Sequence, residues 1–408
     1  MKYLAVLGRQ PEISIAELES KFPNAHFSTG PATDFPPKFC FANISGGPQS
    51  VSPVDINQLG GTLKLAIELT EKPLDFLRNL PEGKITFGIS DYSKNASRKT
   101  ATIEALKLKK ILARHNRSVR VVENKEATLS TATSLHNGLS GKNERKVELI
   151  KLNNDWYKVI GVQDIDAYSK RDQARPARDA KVGMLPPKLA QILINLCGPL
   201  KSGARILDPF CGTGVVLQEA LLMGYHAYGT DINPRMIEYS EKNLEWLLKA
   251  EIDHFSGRVR PARRHGRTAL PLALPGSGFP QNDYFQLSTG DATTFQWQSP
   301  IDAVACEGYL GKPMSTVPSE IKLKTEKQEC TSIILGFLKN LADQIKSDTP
   351  VVIACPAWLR EDGNYSRLEI LDEIENMGYN VDNKSREGLL YHRDSQIVAR
   401  DIIILRKK

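Results

Sequence analysis

The segment Asp208-Pro209-Phe210-Cys211-Gly212-Thr213-Gly214 has the residue types best suited to binding a ligand. It follows an apolar run at 204–207 and precedes a run with helical periodicity at 215–223. Glycines at such a strand-to-helix turn let the backbone approach a ligand closely, and the helix start offers unpaired N–H groups to a negative group. The segment therefore predicts a binding turn for a ligand that carries a negative group such as a carboxylate.

Two acidic residues follow the next two predicted strands, with Asp231 after 225–230 and Asp291 after 286–289. The first can accept hydrogen bonds from both hydroxyls of a ribose, and the second can accept one from the adenine amino group. Carboxyl ends of parallel strands meet at one sheet edge, so the glycine turn and the two acids predict an adenosyl ligand across that edge. The simpler interpretation, that both acids only cap helices, is disfavoured by their order and spacing.

A dinucleotide-binding fold is also disfavoured. It would place Gly-x-Gly-x-x-Gly at the first turn, whereas here Val215-Val216-Leu217 follows Gly214. The pattern Asp-x-x-x-Gly-x-Gly instead resembles the S-adenosylmethionine-binding motif of class I methyltransferases.

Strands and helices alternate around these residues. Helices are predicted at 188–197, 215–223 and 234–250, with strands at 204–208, 225–231, 285–289, 301–306 and 351–355. The ends 388–391 and 397–405 predict a hairpin. This rhythm is typical of an α/β fold with a doubly wound parallel sheet, which can end in an antiparallel pair.

The first 165 residues predict two smaller α/β units. In 1–80, strands are predicted at 3–7 and 39–44 and helices at 13–21 and 56–67. In 81–165, strands are predicted at 84–90, 119–122, 147–151 and 156–163 and helices at 97–115 and 130–139. The polar, proline-containing segment 166–187 predicts a linker, and 188–408 predicts the doubly wound domain.

Positive charge is concentrated in one part of the chain. Residues 84–151 carry 15 Lys and Arg against 6 Asp and Glu, a balance of +9, whereas the whole chain has +7. Such a basic region is typical of a nucleic-acid-binding module, although a solvated helix face has the same composition. A second, arginine-rich segment at 257–281 predicts a loop that either adds an RNA contact or is a tolerated insertion.

Several classes of protein are disfavoured by composition. No apolar run approaches the roughly 18 residues that span a bilayer, and the N-terminus does not resemble a signal peptide, so a cytoplasmic protein is expected. The six cysteines form no Cys-x-x-Cys pair, which predicts reduced core thiols, and no metal-ligand spacing occurs.

Further segments extend the resemblance. Together with the glycine turn, they resemble the THUMP-containing tRNA guanosine N2-methyltransferases over nearly the whole chain, most closely the archaeal and eukaryotic family that acts on position ten. These segments are LGRQPE at 7–12, QDIDAYSKRD at 163–172, GMLPPKLA at 183–190 and ARDI at 399–402.

The resemblance implies a ferredoxin-like domain at 1–80, a THUMP RNA-binding domain at 81–165 and a class I methyltransferase domain at 188–408. It further implies S-adenosylmethionine as cofactor, transfer of its methyl group to N2 of a tRNA guanosine, no metal, and a monomer, to which eukaryotic relatives add a small activator. The implied cofactor-binding residues are 208–214, Asp231, Ile232, Asp291, Ala292 and Pro186. The implied RNA-binding residues are Lys94, Arg98, Lys99, Lys107, Lys109, Lys110, Arg171 and Arg175.

The predicted catalytic loop departs from the pattern of the resemblance. Amino methyltransferases usually have Asp-Pro-Pro-Tyr after the fourth strand, where a carboxylate and a carbonyl accept from the target amine and a ring stacks on the flipped base. This chain has Glu307-Gly308-Tyr309-Leu310-Gly311. We expect Glu307 and the Gly308 carbonyl to accept from the amine and Tyr309 to line the base pocket.

Three alternatives follow from this departure and from the basic region. The enzyme could modify another RNA site, or an altered loop could leave an RNA-binding protein without catalysis. A THUMP-containing thiolation enzyme is disfavoured, because the catalytic half lacks a Ser-Gly-Gly loop for pyrophosphate.

Overall fold

The computed structural model describes residues 2–29, 41–45, 55–179, 184–255, 284–383, 388–394 and 396–408. These residues form two compact units, one ending at Tyr168 and one beginning at Ser169, and each unit has its own sheet. Cys40 and the predicted arginine-rich loop at 257–281 lie outside the described residues.

The first unit contains eight described strands and four helices. Its strands are β1 (Lys2–Leu7), β2 (His26–Thr29), β3 (Phe41–Ser45), β4 (Thr62–Glu68), β5 (Ile85–Asp91), β6 (Val119–Val121), β7 (Lys146–Leu152) and β8 (Asp155–Val162). Its helices are α1 (Pro11–Lys21), α2 (Pro73–Arg78), α3 (Arg98–Arg114) and α4 (Thr131–His136). The strands form one sheet in the order β2-β3-β1-β4-β8-β7-β5-β6.

Strand β4 lies in the middle of that sheet. It pairs antiparallel with β1 on one side and with β8 on the other. The strands assigned by sequence to 1–80 and to 81–165 therefore share a single sheet, and the finer division into a ferredoxin-like and a THUMP domain stays a prediction.

The helix predicted at 56–67 is wrong. A short 3₁₀ turn at Ile56–Gln58 is followed by β4 instead. Glycine is among the poorest helix formers, and the adjacent Gly60 and Gly61 separate the two elements. Their backbone N–H groups donate to the two carboxylate oxygens of Glu17, each at 2.8 Å, so the chain turns where a helix would need to continue.

A buried ion pair lies inside the first unit. Lys64 Nζ donates to Glu148 Oε1 at 2.5 Å and to the Leu129 carbonyl at 2.7 Å. Ser90 Oγ donates to the same Glu148 oxygen at 2.6 Å. The two charged side chains are 2% and 0% exposed, so burial makes each charge dependent on the other.

Helix α5 (Ile165–Gln173) includes the boundary after Tyr168 and occupies part of the segment predicted as a linker. The second unit contains the remaining elements. The later helices are α6 (Pro187–Leu196), α7 (Val215–Leu222), α8 (Pro234–Phe255), α9 (Glu320–Ala342) and α10 (Leu371–Asn376). The strands are β9 (Arg205–Asp208), β10 (His226–Asp231), β11 (Phe285–Thr289), β12 (Ala303–Glu307), β13 (Pro350–Leu359), β14 (Tyr365–Ser366), β15 (Tyr379–Val381), β16 (Leu390–Tyr391) and β17 (Val398–Lys407).

The second sheet confirms the predicted doubly wound fold. Its order is β11-β10-β9-β12-β13-β17-β15, with the first five strands parallel and β17 antiparallel to β13. The predicted terminal hairpin is confirmed by the antiparallel pairing of β16 with β17. One core includes α9 and the side chains of Phe337 and Trp358, and a second packs α7 and α8 through Leu217 and Leu244.

Strand β9 is the point at which the strand order of this sheet changes side. Strands β10 and β11 are added on one side of β9, and β12 and β13 on the other. In open α/β sheets, ligands bind outside the carboxyl ends of the strands at such a switch point. The fold therefore places the ends of β9 and β12, at Asp208 and Glu307, at the position expected for a ligand site.

Candidate active site

The glycine turn between β9 and α7 has the conformation that its sequence predicts. Gly212 and Gly214 have φ values of 50° and 78°, in the left-handed region that favours glycine. A Cβ atom at Gly214 would lie 2.9 Å from the Ser240 hydroxyl oxygen. Both the backbone angle and the close approach of α8 therefore require glycine at this position.

Helix α8 stabilises this turn through side-chain hydrogen bonds. Ser240 Oγ donates to the Gly212 carbonyl at 2.8 Å, and Asn243 Nδ2 donates to the Thr213 carbonyl at 2.9 Å. Asn243 also exchanges two hydrogen bonds with the backbone of Ala177, at 2.9 and 3.0 Å. Both side chains are fully buried. The turn is thus held at its backbone carbonyls, and the N–H groups of Gly212 and Gly214 also have partners within the protein, the Asp231 carboxylate and the Cys211 carbonyl.

Sequence reasoning missed these two supports, although a signal was present. Ser240 and Asn243 lie three residues apart and share a helix face with the apolar Leu244 and Leu247. A polar pair on the buried face of an amphipathic helix indicates hydrogen-bonding partners, because buried polar groups are rarely left unpaired.

Asp231 and Asp291 both make local backbone contacts. Asp231 accepts from the N–H groups of Gly212 and Asn233, each at 2.9 Å. Asp291 Oδ1 accepts from the N–H and the hydroxyl of Thr293, at 2.9 and 2.7 Å. Asp291 is followed by a turn and not by a helix, so the simpler interpretation, that both acids cap helices, does not hold for it. Each carboxylate keeps further lone pairs for a ligand because two oxygens offer about four acceptor sites.

The residues beside these acids differ in exposure. Ile232 is 68% exposed, an unusual state for a large apolar side chain at the carboxyl edge of a sheet. Ala292 is buried, and Pro186 immediately precedes α6, where its carbonyl accepts from the N–H groups of Leu189 and Ala190. Ile232 is thus the apolar side chain available to a ligand.

The carboxyl of Asp208 lies in the interior at the end of β9. It accepts from the Phe210 N–H at 3.1 Å and is 2% exposed. Burial raises the pKa of this carboxyl well above its usual range, the Phe210 hydrogen bond lowers it, and the nearby Asp231 and Glu307 raise it again. Asp208 therefore lies near two further carboxyls at the switch point, those of Asp231 and Glu307.

Glu307 ends β12 in an ion pair that was not predicted. Arg400 on β17 donates from Nε to Glu307 Oε1 at 2.8 Å, and the two side chains are 7% and 15% exposed. Burial raises the pKa of Glu307, and Arg400 lowers it. The available signal was Arg400-Asp401 inside the apolar run 397–405, since a charge in a buried strand indicates a partner.

The rest of the predicted catalytic loop is held on both sides. The Gly308 N–H donates to the Ala354 carbonyl at 3.0 Å, which continues the ladder to β13. The Tyr309 hydroxyl donates to Glu329 Oε1 on α9 at 3.1 Å. Burial and then Glu329 raise the pKa of Tyr309 to about 12, so the ring is held as a neutral phenol.

The predicted RNA-binding residues fall into two sets. Six are exposed side chains on or just before α3, whose opposite face, at Ala101, Ala105, Leu108 and Leu112, is buried. The exposed six are Lys94, Arg98, Lys99, Lys107, Lys109 and Lys110.

Arg171 and Arg175 form the second set, and both are buried. Arg171 donates from Nε and Nη2 to the two carboxylate oxygens of Glu219. The side chains of Arg171 and Arg175 are 9% and 1% exposed. Neither is presented to an RNA phosphate, because the surrounding residues enclose both guanidinium groups.

Other predictions concern thiols, metals and membranes. The five cysteines among the described residues are buried, and none of them forms a disulfide. Within the described ranges, no group of three or more His, Cys, Asp or Glu side chains could hold a metal ion. No helix in the same ranges is long and apolar enough to cross a membrane.

Comparison with known proteins gives a family for part of the chain. Residues 175–259 match the family described as RMKL-like, methyltransferase domain. The tRNA (guanine(10)-N2)-dimethyltransferase of Methanothermobacter thermautotrophicus is 39% identical over 124 residues, which are 29% of this chain and 37% of that protein. The enzyme of the same name from Pyrococcus abyssi is 47% identical over 95 residues, which are 23% of this chain and 26% of that protein. The solved structure of TrmN from Thermus thermophilus is 15% identical, with both chains covered completely and a TM-score of 0.45.

Proposed function

We propose that this chain, whose residues 175–259 match the RMKL-like methyltransferase domain family, is an S-adenosylmethionine-dependent tRNA methyltransferase acting on N2 of a guanosine, at position ten. The matched parts span 37% and 26% of the two curated relatives, both of which are named as tRNA (guanine(10)-N2)-dimethyltransferases. The single structural observation that carries the proposal is Glu307 at the switch point, beside the glycine turn of β9.

The residues present fit the proposed cofactor. The backbone of Gly212 and Gly214 leaves room for the methionine part, the Asp231 carboxylate suits the ribose hydroxyls, and the exposed Ile232 suits the adenine face. The carboxyls of Asp208 and Asp231 suit a ligand with a positive sulfonium, whereas the charge of Glu307 is already paired with Arg400. Pro186, Asp291 and Ala292 complete the proposed cofactor-binding set.

Methyl transfer needs a reactive nucleophile, so the protein must activate the guanine amine. S-adenosylmethionine supplies a sulfonium methyl group, so that a C–N bond forms as the C–S bond breaks, the electron pair stays on sulfur and the amine loses a proton to solvent water. The guanine amino group is a poor nucleophile because its lone pair is conjugated with the ring. Glu307 and the Gly308 carbonyl accept hydrogen bonds from the amine and localise that lone pair, while Tyr309 holds the base.

The direct test uses the purified 408-residue chain with an unmodified tRNA transcript and tritiated S-adenosylmethionine. Mass mapping of the product should find N2-methylguanosine or its dimethyl form at position ten, and a transcript with adenosine at that position should stay unlabelled. Label at another nucleotide would show that the enzyme has a different target, and tight tRNA binding without label would favour the RNA-binding protein.

Mono- or dimethylation, the need for an activator and the monomeric state stay predictions. The reduced cysteines support a cytoplasmic location.

The rate should depend on pH through Glu307. The ionised carboxylate is the acceptor, and burial raises its pKa, so the rate should rise with pH along an acid limb that lies above the range of an exposed glutamate. The charged groups facing Glu307 are Arg400 from β17 and Asp208 from β9, with the Cys306 thiol on its own strand. Single-turnover rates between about pH 5 and pH 8 measure this limb. Glu307→Gln should abolish it, and an unchanged limb in that variant would assign the titration to another group.

Exposed lysines of α3 should hold tRNA phosphates. Lys107→Ala with Lys110→Ala should weaken tRNA binding and reduce the slope of log affinity against log salt by about 2, since each phosphate contact releases about one counterion. Filter binding at several salt concentrations measures both. The control, Lys339→Ala with Lys346→Ala, removes the same charge from exposed positions of the other unit and should leave the slope unchanged. An equal effect of both pairs would indicate net charge alone.

A further inference from the structure

The ion pair of Glu307 and Arg400 uses only some of the hydrogen-bond donors and acceptors of its two side chains. Its one hydrogen bond joins Arg400 Nε to Glu307 Oε1. Within the described part of the chain, Glu307 Oε2 and the two terminal nitrogens of Arg400 have no hydrogen-bond partner. These atoms are not sealed in the interior, because none is among the fully buried polar atoms that lack a partner. A carboxylate acceptor and guanidinium donors therefore lie side by side with access from outside.

A buried arginine whose terminal nitrogens lack hydrogen-bond partners destabilises the protein unless a ligand binds it. The Arg400 side chain is 7% exposed, and it reaches Glu307 across the intervening strand β13. Buried polar groups that lose water without a new partner destabilise a protein, and this applies most strongly to charged groups. A substrate that offers an acceptor beside donors would satisfy both side chains together.

We propose that Glu307 and Arg400 together recognise the Watson–Crick edge of the target guanine, with Arg400 donating to O6 and Glu307 accepting from N1–H and the 2-amino group. This assignment rests on the proposed function. A guanine presents an acceptor, O6, directly beside two donors, and the pair presents donors directly beside an acceptor. Adenine has a donor at position 6 and an acceptor at N1. Its donor would therefore face the donors of Arg400, and its acceptor would face the carboxylate of Glu307. Enzymes that act on a flipped base read it through this edge.

Arg400 has a role that is distinct from methyl transfer itself. It selects the base, and its positive charge lowers the pKa of the neighbouring Glu307 carboxyl, which burial raises. Glu307 contacts the amine that reacts, whereas Arg400 contacts the far end of the same edge. Loss of Arg400 should therefore change which base is accepted, in addition to lowering the rate.

The test compares two bases that share the reacting group. Transcripts carry either guanosine or 2,6-diaminopurine at the target position, since 2,6-diaminopurine keeps the 2-amino group but replaces O6 with an amine and lacks N1–H. The 408-residue protein should methylate the guanosine transcript about 100-fold faster or more in single turnover, because the unmatched edge of 2,6-diaminopurine leaves polar groups unpaired. Arg400→Gln should lower that ratio at least about tenfold, since an amide oxygen can accept from the 6-amino group.

Arg406→Gln is the matched control. Arg406 is also on β17, but it pairs with Asp382 in an ion pair whose members are both 39% exposed, and its loss should leave the base ratio unchanged. If Arg400→Gln slows both substrates equally and keeps the wild-type ratio, Arg400 has only a structural role and the inference is wrong. If Arg400→Gln does not fold, as judged by thermal unfolding, Arg400→Met, which has no donor for O6, decides: a reduced ratio supports base recognition and an unchanged ratio overturns it. Failure of the wild type to methylate the guanosine transcript would instead contradict the proposed function.

Discussion

Replacing Glu307 with alanine is expected to slow methyl transfer to tRNA by about two to three orders of magnitude, because the reacting amine loses its charged acceptor. Cofactor affinity should change by less than about twofold, since the glycine turn and Asp231 are untouched. Single-turnover transfer of a tritiated methyl group measures the first quantity, and calorimetric titration with S-adenosylmethionine measures the second. A loss in rate without a loss in binding would identify a group that acts on the reacting amine.

Two further variants separate chemistry from folding. Glu307→Gln keeps an oxygen for Arg400 and should retain the fold, yet it should lose most of the rate because the acceptor is uncharged. Glu320→Ala removes an 80% exposed glutamate that pairs with Arg360 and should leave the rate unchanged. Transfer at the native rate by Glu307→Ala would exclude the proposed role.

The second large effect concerns stability. Lys64→Met should destabilise the first unit by about 3–5 kcal/mol, because Glu148 would remain buried and charged without its cation. Hydrogen exchange of amides in β5 and β7, followed by mass spectrometry, reports the opening free energy of this unit alone. Exchange in β9 and β12 of the other unit should stay the same.

An exposed pair in the same sheet provides the control. Lys2 and Glu68 pair at 3.3 Å with side chains 59% and 29% exposed, so Lys2→Met should cost less than about 1 kcal/mol. Lys64→Met combined with Glu148→Leu should recover much of the loss, since an apolar pair of similar size needs no charge partner. An equal cost for Lys2→Met and Lys64→Met would contradict the account of burial.

The sequence was sufficient to predict the second sheet and the position of its ligand edge. Helical and strand periods alternate clearly from residue 188 onward, and the glycines at 212 and 214 mark a turn with few alternatives. The first unit was harder. The apolar spacing at 59, 63 and 67 imitates a helix, and only the pairing of β4 with strands that are distant in sequence selects the extended form.

Long-range side-chain pairs lay beyond sequence reasoning. Arg400 meets Glu307 across 93 positions, and Ala177 meets Asn243 across 66. A buried charge signals that some partner exists, but only the order of strands and the packing of helices determine which partner it is. Arg171 shows the opposite case. Its segment predicted an exposed RNA-binding side chain, but the side chain is buried in an ion pair with Glu219.

The central position of β4 also restricts where this chain can be divided. A fragment ending near residue 80 would keep β4 but lose β8, and a fragment starting there would keep β8 but lose β4. Each would expose a row of unpaired backbone groups along a former interior strand, which is a template for aggregation. Limited proteolysis and expression trials should therefore give a stable N-terminal piece only when it extends to the boundary after Tyr168.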